Sequence, residues 1–321
     1  MKQTAQEKEA REKALYAGGR SFYFFIIIVH FFWAISGPLT KMSYNGFGLS
    51  GTDVIEVICF AGIRLFGGGV IALTYCCLQG CRLMPEHLSD FWPLTKLSLI
   101  MGVAQYVLFN FGAAFSSGVQ TSILSSAGAF CGILISAFIF KDDALTPRKL
   151  LGCILGVIAV AILNWQDIKL GVSASLFGAL LLLAGQATGV FGAAYLKIIS
   201  NGRSAIWVGG WQSVISGILL MLLGLLGDVS FTFDRGNAVL VPSAALIITS
   251  GIALIFSNQL YKYNPLSKVM IFSLLSPVLG VLSSAVLLGD SLQSATVLGS
   301  LAINCVGVAL VTTEKQPAGK A

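Results

Sequence analysis

The chain has 321 residues, of which 56% are hydrophobic and only 11% charged, with a formal net charge of +6. Soluble domains run near about a quarter charged, so this balance excludes an ordinary soluble enzyme, a disordered chain, a collagen-like repeat and a disulfide scaffold. The apolar runs lack the period-two alternation of a membrane β-barrel, which leaves an all-α integral membrane protein.

Residues 1–20 form a charged tail, and residues 21–40 carry no charge. At about 1.5 Å per helical residue, such a run crosses roughly 30 Å of hydrocarbon. A basic tail before an apolar run has the outline of a signal peptide. Phe22 to Trp33 is bulky, however, and no small-residue cleavage site follows, so the run is read as an uncleaved first span. Within it Trp33 is read as facing inward, His30 is set aside as a packing residue, and Pro38 is a candidate gating bend.

The second span, 54–78, carries Glu56 and Arg64. Arg64 lies near mid-membrane, where an unpaired guanidinium costs several kcal/mol, so it should face the bundle interior. It is either a fixed charge that attracts an anionic group or a structural residue bonded to backbone carbonyls or to Glu56. The stretch from Leu97 to Phe140 holds no charge over about twice the length of a span, and Ser116, Ser117 and Gly118 supply a turn near its middle. It is read as a helical hairpin, with Tyr106 and Asn110 on one helical face. Leu150 to Gln166 makes a fifth span.

The second half continues with charge-free runs at 170–196, 204–227, 236–261, 269–289 and 291–313, for ten spans in all. They contribute Gln186, then Trp211 and Gln212, then Asn258 and Tyr261, and finally Pro277 as a second gating bend. Polar groups at this depth need a partner or a water-filled cavity. Several helices supply them, which favours one cavity lined by Trp33, Arg64, Tyr106, Asn110, Gln186, Trp211, Gln212, Asn258 and Tyr261.

Cytoplasmic loops retain Lys and Arg. With the amino terminus inside, sixteen of the twenty basic residues fall on the cytoplasmic side, Lys41, Lys169 and Arg235 fall outside, and Arg64 stays in the membrane. Both termini are therefore expected in the cytoplasm, as a tail over 1–20 and a shorter one over 314–321. The net charge is explained by topology, and no basic array points to nucleic acid. Seven cysteines lie in spans or at helix ends, where they read as small hydrophobes, and the Cys76, Cys77 and Cys81 group lacks the further ligand a metal would need. No metal, cofactor or catalytic residue is expected.

A pattern recurs at Asp143, Leu145, Leu151 and Gly152 and again at Asp290, Leu292, Leu298 and Gly299, an offset of 147. The first copy is flanked by Lys141, Arg148 and Lys149, whereas the second has no positive residue between Gly289 and Thr296. Five helices per half would place the two copies on opposite faces, so the loss of charge fits an inverted repeat of five plus five, over 21–166 and 170–313.

The run Phe111-Gly-Ala-Ala-Phe-Ser-Ser-Gly-Val-Gln-Thr-Ser-Ile-Leu-Ser-Ser126, with Phe140-Lys-Asp-Asp-Ala-Leu-Thr-Pro-Arg-Lys-Leu-Leu-Gly152, resembles the EamA-type transporters of the drug/metabolite transporter superfamily. Asn264-Pro-Leu-Ser-Lys268, Leu274-Leu-Ser-Pro277 and Gly289-Asp290 are the counterpart in the second half. The resemblance covers residues 20 to 313 and departs from the family pattern at Phe130, where proline is usual, which implies a straighter fourth helix. It implies a ten-helix bundle that moves a small organic solute across the plasma membrane without hydrolysing a nucleotide. No Walker-type loop is present, and Gly67-Gly-Gly69 inside a span reads as close helix packing. Only Glu56 among the acidic residues lies within a span, which disfavours glutamate-centred proton exchange and leans toward a facilitator.

The expected activity is secondary transport of an amino acid or similar amphipathic solute by alternating access. The alternatives are an intramembrane enzyme such as a lipid-linked group transferase, an exporter of cationic drugs, and a non-transporting scaffold. The expected partners are the solute and the bilayer, and the small-residue pairs leave a homodimer open.

Overall fold

The computed structural model describes residues 2–49, 53–85, 87–116, 118–140, 145–163, 165, 175–225, 227, 229, 237–289 and 294–312. Among them all regular structure is helical. A tail helix α1 (Lys2–Tyr16) precedes α2 (Gly19–Phe47), α3 (Val54–Leu78), α4 (Leu88–Ala114), α5 (Gly118–Ile135) and α6 (Pro147–Leu163). The second half holds α7 (Leu176–Ile199), α8 (Ala205–Leu225), α9 (Asn237–Tyr263), α10 (Leu266–Leu288) and α11 (Ser294–Thr312).

Seven of these helices, α2, α3, α4, α7, α8, α9 and α10, are long and apolar enough to cross a membrane, and α5, α6 and α11 are shorter within the described residues. The chain is thus an all-α multi-pass membrane protein. Lys141, Asp143, Lys169, Arg235, Asp290 and the tail from 314 onward, which entered the topology and repeat arguments, lie outside the described residues.

Helix limits follow local chemistry more closely than charge. The first span does not end before Lys41. It runs through Pro38 to Phe47, and stops where Gly48 turns left-handed at φ 71 and its N–H bonds the Tyr44 carbonyl. The sixth span begins later than expected because Ser175 caps α7, its Oγ accepting from the Gly178 N–H at 3.0 Å. The break falls where the turn was expected, with α4 ending at Ala114 and α5 starting at Gly118, but α4 begins at Leu88 and both helices pack mainly on α7 and little on each other. Through Phe130 the α5 helix is regular, then loosens into a π turn over Ser136–Phe140, and α4 holds another over Ser98–Ala104. In α10 a tighter 3₁₀ turn, Ile271–Leu274, comes just before Pro277, which has no N–H to offer the Ser273 carbonyl.

The helix contacts form matched sets. Exchanging α2–α6 for α7–α11 in order turns the α2–α9 contact into α7–α4 and the α2–α10 contact into α7–α5. The same exchange maps the α3–α8 and α6–α11 contacts onto themselves. Both self-matched pairs run antiparallel. A Cβ on Gly62 would meet the Gly217 carbonyl at 2.9 Å, and one on Gly69, two turns later, would meet the Gly210 carbonyl at 2.8 Å, two turns earlier. In the second pair Gly152 and Gly307 touch the same way, and Ser300 Oγ donates to the Ala159 carbonyl at 2.7 Å. Glycine lets these backbones approach where lipid supplies no hydrophobic drive, as the Gly67–Gly69 run predicted.

Candidate functional site

Between the two sets of helices lies a cavity of about 710 Å³. On α2 its wall is the stripe His30, Trp33, Gly37, Thr40 and Tyr44, spaced by three and four residues as one helical face requires. Phe60, Arg64 and Leu65 come from α3, and Met101, Gln105, Tyr106, Phe109 and Asn110 from α4, where the π turn sits. Ser125, Ser126 and Gly128 belong to α5, and Gln186 to α7. Gln212 of α8, with Ser257 and Tyr261 of α9 and Ser273, Ser276 and Pro277 of α10, completes the ring.

Arg64 is the single charged side chain in this lining among the described residues. Its Nε donates to Ser250 Oγ at 2.8 Å, and Ser250 Oγ in turn donates to the Leu246 carbonyl at 2.7 Å, so a buried hydroxyl on α9 fixes the guanidinium plane. The Arg64 Cζ stands 5.5 Å from the centre of the Trp33 ring, within cation–π range. Among the described residues no carboxylate lies within ion-pair distance of Arg64, Glu56 included. The charge is thus positioned by a neutral hydroxyl and an aromatic face.

The structure brings together Trp33, Arg64, Tyr106, Asn110, Gln186, Gln212 and Tyr261, with Pro277 at the wall. Asn110 Nδ2 is engaged with the Tyr106 carbonyl at 2.7 Å. Gln212 is almost wholly buried, its amide donating to Ser216 Oγ at 3.0 Å and accepting from Ser213 Oγ at 3.1 Å, so both ends are satisfied inside the protein.

Two expected lining residues stand elsewhere. Trp211 leaves the cavity. Its Nε1 donates to the Leu83 carbonyl at 2.9 Å beside the same bond from Trp207 at 2.8 Å, and it stacks edge-on with Phe91 at 5.4 Å. Of these neighbours on α8, Gln212 turns to the cavity and Trp211 is held away from it by Leu83 and Phe91. Asn258 is buried against the Gly209 backbone on α8, its Nδ2 lacking a partner. Pro38, expected as a gating bend, is buried within α2 between Gly37 and Thr40, which line the cavity.

His30, set aside on the sequence, faces the cavity with Nδ1 3.0 Å from Ser276 Oγ, and its Nε2 is buried without a partner. The signal was its spacing of three from Trp33. Tyr44 and the serines of α5 and α10 were also missed, because serine in an apolar helix commonly turns its hydroxyl onto its own backbone. Ser125 and Ser273 do so here, bonding the Thr121 and Met270 carbonyls while still lining the cavity.

A model of the EamA-like transporter family matches residues 20–165 and again 176–313. An uncharacterized transporter, YvbV of Bacillus subtilis (strain 168), is 25% identical over 299 residues, covering 91% of this chain and 90% of that protein. A protein of known crystal structure superposes with a TM-score of 0.75 at 17% identity, covering 90% of this chain and 95% of the other, and so shares the fold.

Proposed function

Since the chain belongs to the EamA-like transporter family, matched twice over most of its length, we propose that it carries a small amphipathic solute with an anionic group, such as an amino acid, by alternating access. One observation carries this reading: Arg64 presents an uncompensated positive charge to a cavity walled by Trp33, Tyr44, Tyr106, Phe109 and Tyr261. An apolar wall with a few fixed polar groups is the usual build of a small-molecule site. A carboxylate on Arg64 would be charge-paired and bidentate, while the rest of the solute rests on aromatic faces. A cationic drug would meet repulsion from Arg64 and find no acid among the described lining residues, which argues against the drug-exporter alternative.

We read the architecture as ten spans in an inverted repeat, with both termini in the cytoplasm and the protein in the plasma membrane. Support comes from the antiparallel packing of α3 with α8 and of α6 with α11, pairs that hold the same rank in their two halves. Inverted halves can exchange conformations, and so open one cavity alternately to each side. With no carboxylate among the described lining residues, the reading favours a facilitator over proton exchange.

The test is a thermal-shift screen of the purified protein against amino acids, sugars, nucleosides and cationic drugs. A ligand that binds the folded state at about 100 times its Kd adds roughly 2.7 kcal/mol of stability. The expected hit is an anionic or zwitterionic solute whose shift vanishes in Arg64→Ala, with the gel-filtration profile unchanged, and whose flux into liposomes needs no ion gradient. A hit confined to cationic compounds would sink the proposal.

A further inference from the structure

A second cavity, of about 770 Å³, lies where α1 docks on the bundle, and it is lined by three lysines, Lys13, Lys197 and Lys262, against one carboxylate, Glu9. It sits directly beneath the central cavity. Ala194 and Leu266 line it, while Val190 and Met270, one helical turn away on the same two helices, line the central cavity. Four residues advance about 6 Å along a helix, so a single turn of side chains separates the two spaces. That turn is apolar and closed: Val190, Ala193, Ala194 and Leu266 are buried in one cluster, with Met101, Tyr261 and Met270 packed against it.

Two of the lysines, Lys197 and Lys262, are held in place by the protein. Lys197 Nζ donates to the Asn264 carbonyl at 3.0 Å, and Lys262 Nζ donates to the Arg203 carbonyl at 2.9 Å. Lys262 also lies 3.1 Å from Glu9 Oε1, its side chain only 10% exposed against 49% for Glu9. Among the described residues the one carboxylate that lines this space, Glu9, therefore arrives on the tail helix, as does Glu12 behind the lining Tyr263. That helix is fastened to the α9–α10 junction by Tyr263 Oη donating to Glu12 Oε2 at 3.0 Å and Asn264 Nδ2 donating to the Tyr16 carbonyl at 2.9 Å.

We propose that this vestibule is a second, anion-selecting station on the solute path, divided from the Arg64 cavity by the one-turn apolar septum. The inference rests on the transport reading above and narrows its substrate class to small organic anions and zwitterions that lead with a carboxylate. An anion released by Arg64 through the septum is received by Lys197 and Lys262, and Glu9 occupies Lys262 while the station is empty. A cation meets like charge at both stations.

The test needs no knowledge of the solute. Full-length protein with Cys77 and Cys305, the exposed cysteines, replaced by serine receives a reporter at the exposed vestibule position Asn201→Cys. It is placed in phosphatidylcholine nanodiscs, whose lipids carry no net charge. The rates of an anionic sulfonatoethyl and a cationic trimethylammonium-ethyl methanethiosulfonate, each divided by its rate with a small neutral thiol in solution, are then compared. A unit charge about 6 Å away in water alters the local concentration of a singly charged reagent on the order of threefold, so the anionic reagent should be several-fold faster. Lys197→Gln with Lys262→Gln should erase that preference, the two arginine replacements should keep it, and Glu9→Gln should raise it. Equal rates for the two reagents, or a preference indifferent to the lysine-to-glutamine changes, would overturn the proposal. Because no solute is added, that outcome is separate from a failed ligand screen, which bears on the transport reading alone.

Discussion

At Arg64 one nitrogen is committed to Ser250 and the planar face to Trp33, so the side chain enters the cavity already oriented. The Ser250 hydroxyl accepts from Arg64 and donates to its own helix, which makes it a positioning residue. Ser250→Ala should weaken solute binding by about three- to tenfold, the worth of one hydrogen bond, without disturbing folding. Arg64→Lys should cost more despite keeping the charge, because an ammonium can neither stack on the indole nor bind a carboxylate bidentately. Titration calorimetry with the solute identified in the screen checks both, and equal binding by wild type and Ser250→Ala would remove the orienting role. The sequence located Arg64 by depth and charge alone. It did not identify the partner, since Ser250 is 186 positions away and no local pattern marks it.

Among the helices, the legible features were those with a local cause. A glycine run predicted close packing in α3, and a Ser-Ser-Gly turn predicted the break between α4 and α5. The ends of α2 and α7 were missed, because a left-handed glycine and a serine cap decided them and charge did not. Glycines with equal rank in the repeated motif also proved unequal. A Cβ on Gly152 would meet the Gly307 carbonyl at 2.7 Å, whereas one on Gly299 would meet nothing within 4 Å. The difference predicts opposite outcomes. Gly217→Val, at the α3–α8 contact where a Cβ would meet the Phe66 amide at 2.5 Å, should force the helices apart at a cost of about 1–3 kcal/mol. Gly299→Ala should be neutral or stabilise by up to roughly 1 kcal/mol through helix propensity. Apparent melting temperatures in detergent distinguish them, and a Gly217→Val protein as stable as wild type would show that this contact is not tight. At this scale Pro277 also has a role beyond packing, since it cannot donate the regular helical bond to the Ser273 carbonyl beside the cavity. Pro277→Ala should leave the protein folded but slow its flux, because a continuous helix resists the bend that the 3₁₀ turn now allows.

Across the whole molecule, the two halves meet along antiparallel pairs of same-rank helices, and this arrangement makes the direction of the repeat testable without any substrate. Gln79 follows the last residue of α3, and Leu225 is the last residue of α8, the second membrane helix of each half. Both are exposed. If the halves were parallel copies, cysteines at these positions would sit on the same face of the membrane. If five helices separate them, they sit on opposite faces, and the distribution of lysine and arginine puts Gln79 inside. In intact cells an impermeant maleimide should therefore label Leu225→Cys and spare Gln79→Cys until the membrane is permeabilised, with the other exposed cysteines, Cys77 and Cys305, replaced by serine. Labelling of both from outside, or of neither, would dismiss the inverted repeat and with it the symmetry argument for alternating access. The charge pattern alone could propose this orientation but not the pairing that enforces it. Which helix of one half lies against which of the other depends on contacts such as Gly62 with Gly217, formed between residues that share no local signal in the chain.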